Sequence, residues 1–291
     1  MKKIKNRLIF GTANLGERYG INASNISKNS SFKNIFSLLK KEKVFFIDTA
    51  YSYKNAQKYL RKINLKKFRI ISKLPKYKKE NLSILEKKII NHVERSLKQL
   101  NISRFYALLV HDTKELNGSK GKKIFEILKL LKKRNMVRKI GYSIYCTSEL
   151  DKFFYKFRPD IVQGPLNILD QRIINSGWLK RLNKSGSEFH ARSIFLQGLL
   201  LKKSGELPVK FKKYRDIFTN YYQWLKKNNL NSLTASLYFI SSIKFVKKIV
   251  IGVDNSFQLQ DIINLKLNKK RYDFKQLSCS NKSIIDPRNW K

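Results

Sequence analysis

The sequence predicts an α/β protein of the (β/α)8 class, the TIM barrel, on three observations. Short apolar, β-branched runs alternate with longer helix-periodic stretches eight times along the 291 residues. That length suits a closed barrel, which typically takes about 250 residues. Three successive strand runs each end in an ionisable residue, Asp48, Lys73 and His111. The competing doubly wound sheet usually carries G-x-G-x-x-G after its first strand, and Gly11-Thr12-Ala13-Asn14-Leu15-Gly16 does not match it.

Each element follows from its pattern. Leu8-Ile9-Phe10 reads as the first strand and Ile35 to Lys41 as the first helix. Val44-Phe45-Phe46-Ile47 is an unbroken apolar run and the second strand, followed by a helix over Asn55 to Ile63. Arg69 to Ser72 is the third strand. Its helix, Ser83 to Leu100, has the clearest period, with Leu85, Ile89, Val93, Leu97 and Leu100 on one face. Ala107 to Val110 is the fourth strand, and Ile124, Ile127, Leu128 and Leu131 mark its helix at i, i+3, i+4 and i+7. Lys139 to Tyr142 with a helix over Glu149 to Phe157, and Asp160 to Gln163 with a helix over Ile173 to Leu182, make the fifth and sixth units. Glu188 to Arg192 is the seventh strand. A longer excursion follows, with Lys202 to Lys213 expected as a mobile loop, and ends in a helix over Ser232 to Ile243. Lys248 to Ile251 is the eighth strand and Phe257 to Leu265 the closing helix. A single domain is expected over 1–291, with 267–291 as a tail packed outside the barrel.

Composition narrows the class. With 42% hydrophobic and 12% aromatic residues the chain can build a sizeable core. Two cysteines, Cys146 and Cys279, cannot form a disulfide framework or a four-Cys zinc site. His92 and His190 lack a second ligand at metal spacing and read as structural, so no metal is expected. No apolar run reaches a membrane span, and the first apolar stretch is too short for a secretory signal; a cytoplasmic protein is expected.

The charge is +43, from 63 Lys and Arg against 20 Asp and Glu. The basic residues are spread over helix faces and form no dense tail. Lys outnumbers Arg, and Asn and Ile are plentiful, which points to coding bias. A nucleic-acid reading would need a helix-turn-helix, a zinc signature or a basic-aromatic platform, and none is present; no specific nucleic-acid partner is expected. The field still attracts anions, less so at high salt.

Asp48, Lys73 and His111 close three neighbouring strands, so a parallel barrel brings them to one rim, where barrel enzymes keep their active sites. A buried Lys beside a carboxylate and an imidazole tunes proton affinity. Asp48-Thr49-Ala50-x-x-Tyr53 resembles the D-T-A-x-x-Y signature of the aldo-keto reductases. Asp48, Tyr53, Lys73 and His111 match the family tetrad in identity, order and strand position. Gly11-Thr12 through Leu15-Gly16 resembles the family's first loop, Gly141-Tyr142-Ser143 its G-V-S, Gln163 its strand-six Gln, Arg192 to Leu200 its seventh-strand loop, and Gly252 with Gln258 its last cofactor segment.

The resemblance implies NAD(P)H-dependent reduction of an aldehyde or ketone, a small-molecule carbonyl substrate that is sugar-like by the 192–200 loop. It casts Tyr53 as general acid, Lys73 as the cation that stabilises the phenolate, Asp48 as the partner of Lys73, and His111 as donor to the substrate oxygen. It places Gly11, Thr12, Ser143, Gln163, Arg192, Ser193, Phe195, Gly198, Gly252 and Gln258 at the cofactor. Arg192 stands where an aromatic often stacks on the nicotinamide, Ile144 where an Asn often follows G-V-S, and Lys54 to Gln57 where G-x-S-E is common. Family habit implies NADPH. The segment Gly252 to Asp261 holds no Lys or Arg, so NADH is also expected to serve, and a basic residue near Lys269-Lys270-Arg271 is the candidate grip for a 2′-phosphate. The alternative is a nucleotide-binding sensor or partner subunit on the same fold with little turnover.

Overall fold

The computed structural model describes residues 4–15, 20–21, 29–77, 81–267 and 270–290. Eight parallel strands close into a barrel in sequence order: β1 (Leu8–Gly11), β2 (Phe46–Asp48), β3 (Arg69–Leu74), β4 (Phe105–Val110), β5 (Val137–Ser143), β6 (Ile161–Pro165), β7 (Glu188–Arg192) and β8 (Val246–Ile251). Closure is made by β1 against β8, with Leu8 opposite Ile249 and Phe10 opposite Ile251. The expected strands are all present and most are longer than the apolar runs that signalled them.

Helices wrap the outside: α1 (Asn29–Lys41), α2 (Lys54–Leu60), α3 (Leu82–Leu100), α4 (Gly118–Lys133), α5 (Ser148–Phe153), α6 (Arg172–Asn175), α7 (Trp178–Lys184), α8 (Arg215–Lys227), α9 (Ser232–Ser242), α10 (Ser256–Asn264) and α11 (Lys282–Ile285). The α3 stripe Leu85, Ile89, Val93, Leu97 and Leu100 is buried, as its period predicts. Asn81 caps its start, its side chain accepting from the Ser83 N–H, and Asn101 ends it in the left-handed region. The helix expected over Ile173 to Leu182 is broken, because Gly177 at φ +76° separates α6 from α7. The expected mobile loop contains a 3-10 turn, Val209–Tyr214, whose buried Phe211 packs edge-on to Trp290 at 5.1 Å. Helix α8, unforeseen in the sequence, follows it and buries Phe218, Tyr221, Trp224 and Leu225.

The N-terminal end of the barrel is closed by a 3-10 turn, Ile4–Arg7. Arg7 donates to the carbonyls of Ser241 at 3.0 Å and Val246 at 2.7 Å, and Lys248 Nζ to that of Asn6 at 2.9 Å. Near the C-terminus Phe274, Leu277, Ile284 and Ile285 are buried, and Gln171 Nε2 donates to the Phe274 carbonyl at 2.8 Å.

One glycine sets the spacing of two strands that carry site residues. Gly141 on β5 lies opposite Ile161 on β6, two residues before the pair Ser143 and Gln163. A Cβ at Gly141 would fall 1.8 Å from the Ile161 carbonyl oxygen. Gly141→Ala therefore forces the seam apart. We expect a loss of at least about 3 kcal/mol and a melting temperature lower by roughly 5 °C or more. A melt within about 2 °C of wild type would show that the seam yields without cost.

Candidate active site

The β2–α2 loop is laced to β3 through the backbone. The Thr49 N–H donates to the Ile71 carbonyl at 2.8 Å and the Tyr51 N–H to that of Lys73 at 3.1 Å. The Tyr53 N–H donates to the Ala50 carbonyl at 3.0 Å, a tight turn that sets Tyr53 at the start of α2. Asp48 is the last residue of β2, Lys73 lies near the end of β3, and His111 follows the last residue of β4. All are at the C-terminal rim.

Lys73 and Asp48 form a buried ion pair, Nζ to Oδ1 at 2.5 Å, and Nζ also donates to the Thr49 carbonyl at 3.2 Å. The second carboxylate oxygen accepts from Gln163 Nε2 at 2.7 Å. Thr12 sends both its hydroxyl and its N–H to the Asp48 carbonyl, each at 3.0 Å. Every oxygen of Asp48 is thus held, which fixes the ammonium in turn. Lys73 Nζ lies 5.6 Å from the centre of the Tyr53 ring, and the His111 ring stands edge-on to Tyr53 at 6.0 Å. The four tetrad residues are brought together.

His111 is held neutral at physiological pH. Burial, then the Lys73 charge, push its pKa down to about 4, and Asp48 only partly offsets them. The free imidazole titrates near 6.5. Between those values the unfolded chain binds a proton that the native imidazole refuses, so stability is full above about 6.5 and falls as pH drops toward 4. The loss from this residue is at most about 3 kcal/mol. The buried His190 is shifted the same way by desolvation and adds to the slope. Urea midpoints between pH 7 and 4.5 should fall, and fall less in His111→Gln; identical slopes would remove His111 from the effect.

A cavity of about 550 Å³ opens between the ends of β7, β8 and β1, within the size range of cofactor sites. Gly11, Asp48, Tyr53, Gln163, Arg192, Ser193, Phe195, Gly198, Gly252 and Gln258 all line it. Ser143 is buried beside it in register with Gln163. Two buried acceptors, Gln163 Oε1 and Asn14 Oδ1, have no hydrogen-bond partner. An amide-bearing ligand would satisfy such groups.

Several expected roles take a different form. Thr12 points its donors at Asp48 and does not line the cavity. Gln163 spends one of its two amide N–H donors on Asp48, and its Oε1 is left without a partner. The Gly198 N–H is taken by the Phe195 carbonyl at 2.9 Å; with Gln197 (φ +53°) and Gly198 (φ +91°) left-handed, the loop is a self-bonded turn. Gln258 is engaged locally, its Oε1 accepting from the Asp254 N–H at 2.8 Å and its own N–H donating to Asn255 at 2.9 Å. The Arg192 guanidinium lies over the Tyr145 ring at 4.4 Å. Gly16 and Lys269 lie outside the described residues, and Lys270 and Arg271 do not line the cavity. Lys203, which sequence reasoning did not single out, does. Tyr51 packs on the His92 ring at 4.7 Å, and His92 Nδ1 lies 2.9 Å from the Tyr77 hydroxyl. His190 is fully buried inside the barrel, 3.1 Å from Glu188. Among the described residues no group of three or more His, Cys, Asp or Glu could hold a metal ion, and no helix is long and apolar enough to cross a membrane.

These features define a (β/α)8 barrel in which a buried Lys–Asp pair, a tyrosine and a histidine gather beside a cofactor-sized cleft at the strand ends. The model of the aldo/keto reductase family matches residues 7–281, and the chain belongs to that family. It is an oxidoreductase acting on carbonyl compounds. An aldo-keto reductase of Bacillus halodurans in its holo form superposes with a TM-score of 0.73 at 17% identity, covering 93% of this chain and 90% of that one. The glycerol dehydrogenase of Gluconobacter oxydans gives 0.69 at 17%, covering 93% and 89%. At that identity the likeness speaks for the fold alone. No curated protein sequence matches the chain.

Proposed function

We propose that the protein reduces an aldehyde or ketone to an alcohol with NAD(P)H, Tyr53 giving the proton. The observation that carries this is the buried Lys73–Asp48 pair set 5.6 Å beneath the Tyr53 ring. The nicotinamide supplies a hydride when bound. The residues do the rest. Lys73 stabilises the phenolate that Tyr53 leaves behind. Neutral His111, whose Nδ1 lies 3.5 Å from the Ser52 hydroxyl, gives the substrate oxygen a hydrogen bond from Nε2–H and retains its proton. Gln163 Oε1, with Ser143 beside it, would accept from the carboxamide. Gly11, Gly198 and Gly252 leave room for the cofactor, and Arg192, Ser193, Phe195 and Gln258 border it. The 192–200 loop favours a sugar-like carbonyl. The unpaired, half-buried thiols Cys146 and Cys279 suit a reducing cytoplasm.

Following NADPH oxidation with a panel of aldehydes tests this reading. Turnover is expected; nucleotide binding without turnover on any carbonyl would favour the sensor alternative.

Cofactor choice follows from the cleft. Asp254 and Asp261 border it, which favours a ribose hydroxyl, whereas Lys203 and the overall field favour a phosphate. We expect NADPH to be preferred by no more than about tenfold. Titrating both cofactors in matched salt checks this; a thousandfold preference would require a grip on the 2′-phosphate stronger than Lys203 alone.

A further inference from the structure

Three guanidiniums gather around Tyr145, in the loop after β5, and two of them carry their own carboxylate. Arg172 holds Asp170 at 2.7 Å and Arg288 holds Asp286 at 2.5 Å. Arg172 donates to the Tyr145 carbonyl at 3.1 Å, and Arg288 lies over the Tyr145 ring at 3.8 Å. Arg192 differs. Its Nη2 donates to the Ile144 carbonyl at 2.8 Å and its Nη1 to the Ser193 hydroxyl at 3.2 Å, both neutral acceptors. Among the described residues no carboxylate pairs with it, and its other N–H donors have no protein acceptor. Asp48, which lines the same cavity, is committed to Lys73 and Gln163.

A partly buried guanidinium without a counter-charge is costly until a ligand supplies one. Its planar fork suits a carboxylate or phosphate. The two tethers and the Tyr145 ring fix that plane, so the remaining donors are held ready. The contacts of Arg192 to Ile144 and Tyr145 set it toward the β5 loop. It lines the same cavity as Tyr53, Asp48 and Gln163, which places it at the cleft that meets the reacting groups.

We propose that Arg192 determines substrate specificity by binding an anionic group, carboxylate or phosphate, carried on the carbonyl substrate. The preferred substrates are then small anionic aldehydes or ketones. This rests on the carbonyl-reduction reading above.

The test uses matched pairs: 4-oxobutanoate against butanal, and D-glyceraldehyde 3-phosphate against D-glyceraldehyde. They are measured in about 0.15 M salt, which screens the general field. Wild type should favour the charged member of at least one pair by about tenfold or more in kcat/KM, and the pair that responds identifies the group. Arg192→Met should cut that ratio by roughly 10- to 100-fold, chiefly through KM. Arg288→Met removes the same charge one ring away but from a paired site, and should hold the ratio within about twofold. Three results overturn the proposal. The ratio survives Arg192→Met; both members fall alike while NADPH binding weakens, which makes Arg192 a cofactor group; or Arg288→Met collapses the ratio equally, which makes the preference a property of the field. Absence of turnover with every carbonyl defeats the carbonyl-reduction reading instead. Calorimetric binding of 4-oxobutanoate and D-glyceraldehyde 3-phosphate then decides the anion site: loss in Arg192→Met supports it, and equal binding overturns it.

Discussion

Tyr53→Phe lowers kcat/KM for carbonyl reduction by roughly 10²- to 10⁴-fold, the range of general acid catalysis, while NAD(P)H affinity changes little. The substitution removes one oxygen and keeps the ring that packs against Lys73 and His111. The fold and the cleft therefore stay as they are, and the loss reports proton supply. His111 does not take over. An imidazole with its pKa near 4 is already neutral at pH 7, and a neutral imidazole gives up its remaining proton only in strong base. Tyr51→Phe serves as the control, since that ring stacks on His92 at 4.7 Å. Steady-state rates and cofactor titrations on both variants check the assignment. Near-normal turnover in Tyr53→Phe would sink it, and equal losses in both would assign the effect to loop packing.

Asp48, Tyr53, Lys73 and His111 were legible because their signal is local. Three apolar runs end in ionisable residues, and a Tyr stands five positions after the first. Their supports were not. Gln163 reaches Asp48 across 115 positions, and Thr12 comes from the loop after β1. From sequence the resemblance assigns both to the cofactor, and only closure of the barrel shows that they bond to Asp48. Lys203 lines the cleft only because the excursion after β7 folds back over it, a path with no periodic signal. Helix α8 carries a readable period, with Phe218, Tyr221, Trp224 and Leu225 at i, i+3, i+6 and i+7, although its aromatic residues have modest helix propensity. Gly177 was a visible breaker inside the sixth helix, but its left-handed φ shows only in the fold.

Asp48→Asn is expected to destabilise the protein by about 3–5 kcal/mol, as breaking a buried ion pair does, and to cut turnover by at least about 10²-fold. The carboxylate accepts from Lys73 on one oxygen and from Gln163 on the other. Asparagine has a single oxygen, so one of those buried donors must face its NH₂. Either outcome strands Lys73, a residue with about 2% of its surface exposed, without a counter-charge. Adding Lys73→Met separates the two consequences. The double variant removes the stranded ammonium and should recover part of the stability lost in Asp48→Asn. It should recover no activity, because the cation beside Tyr53 is gone. Urea midpoints and aldehyde turnover across wild type, both single variants and the double variant complete the cycle. A double variant no more stable than Asp48→Asn would mean that Asp48 does not hold Lys73 as an ammonium. One that regained turnover would mean that proton delivery from Tyr53 does not depend on the pair.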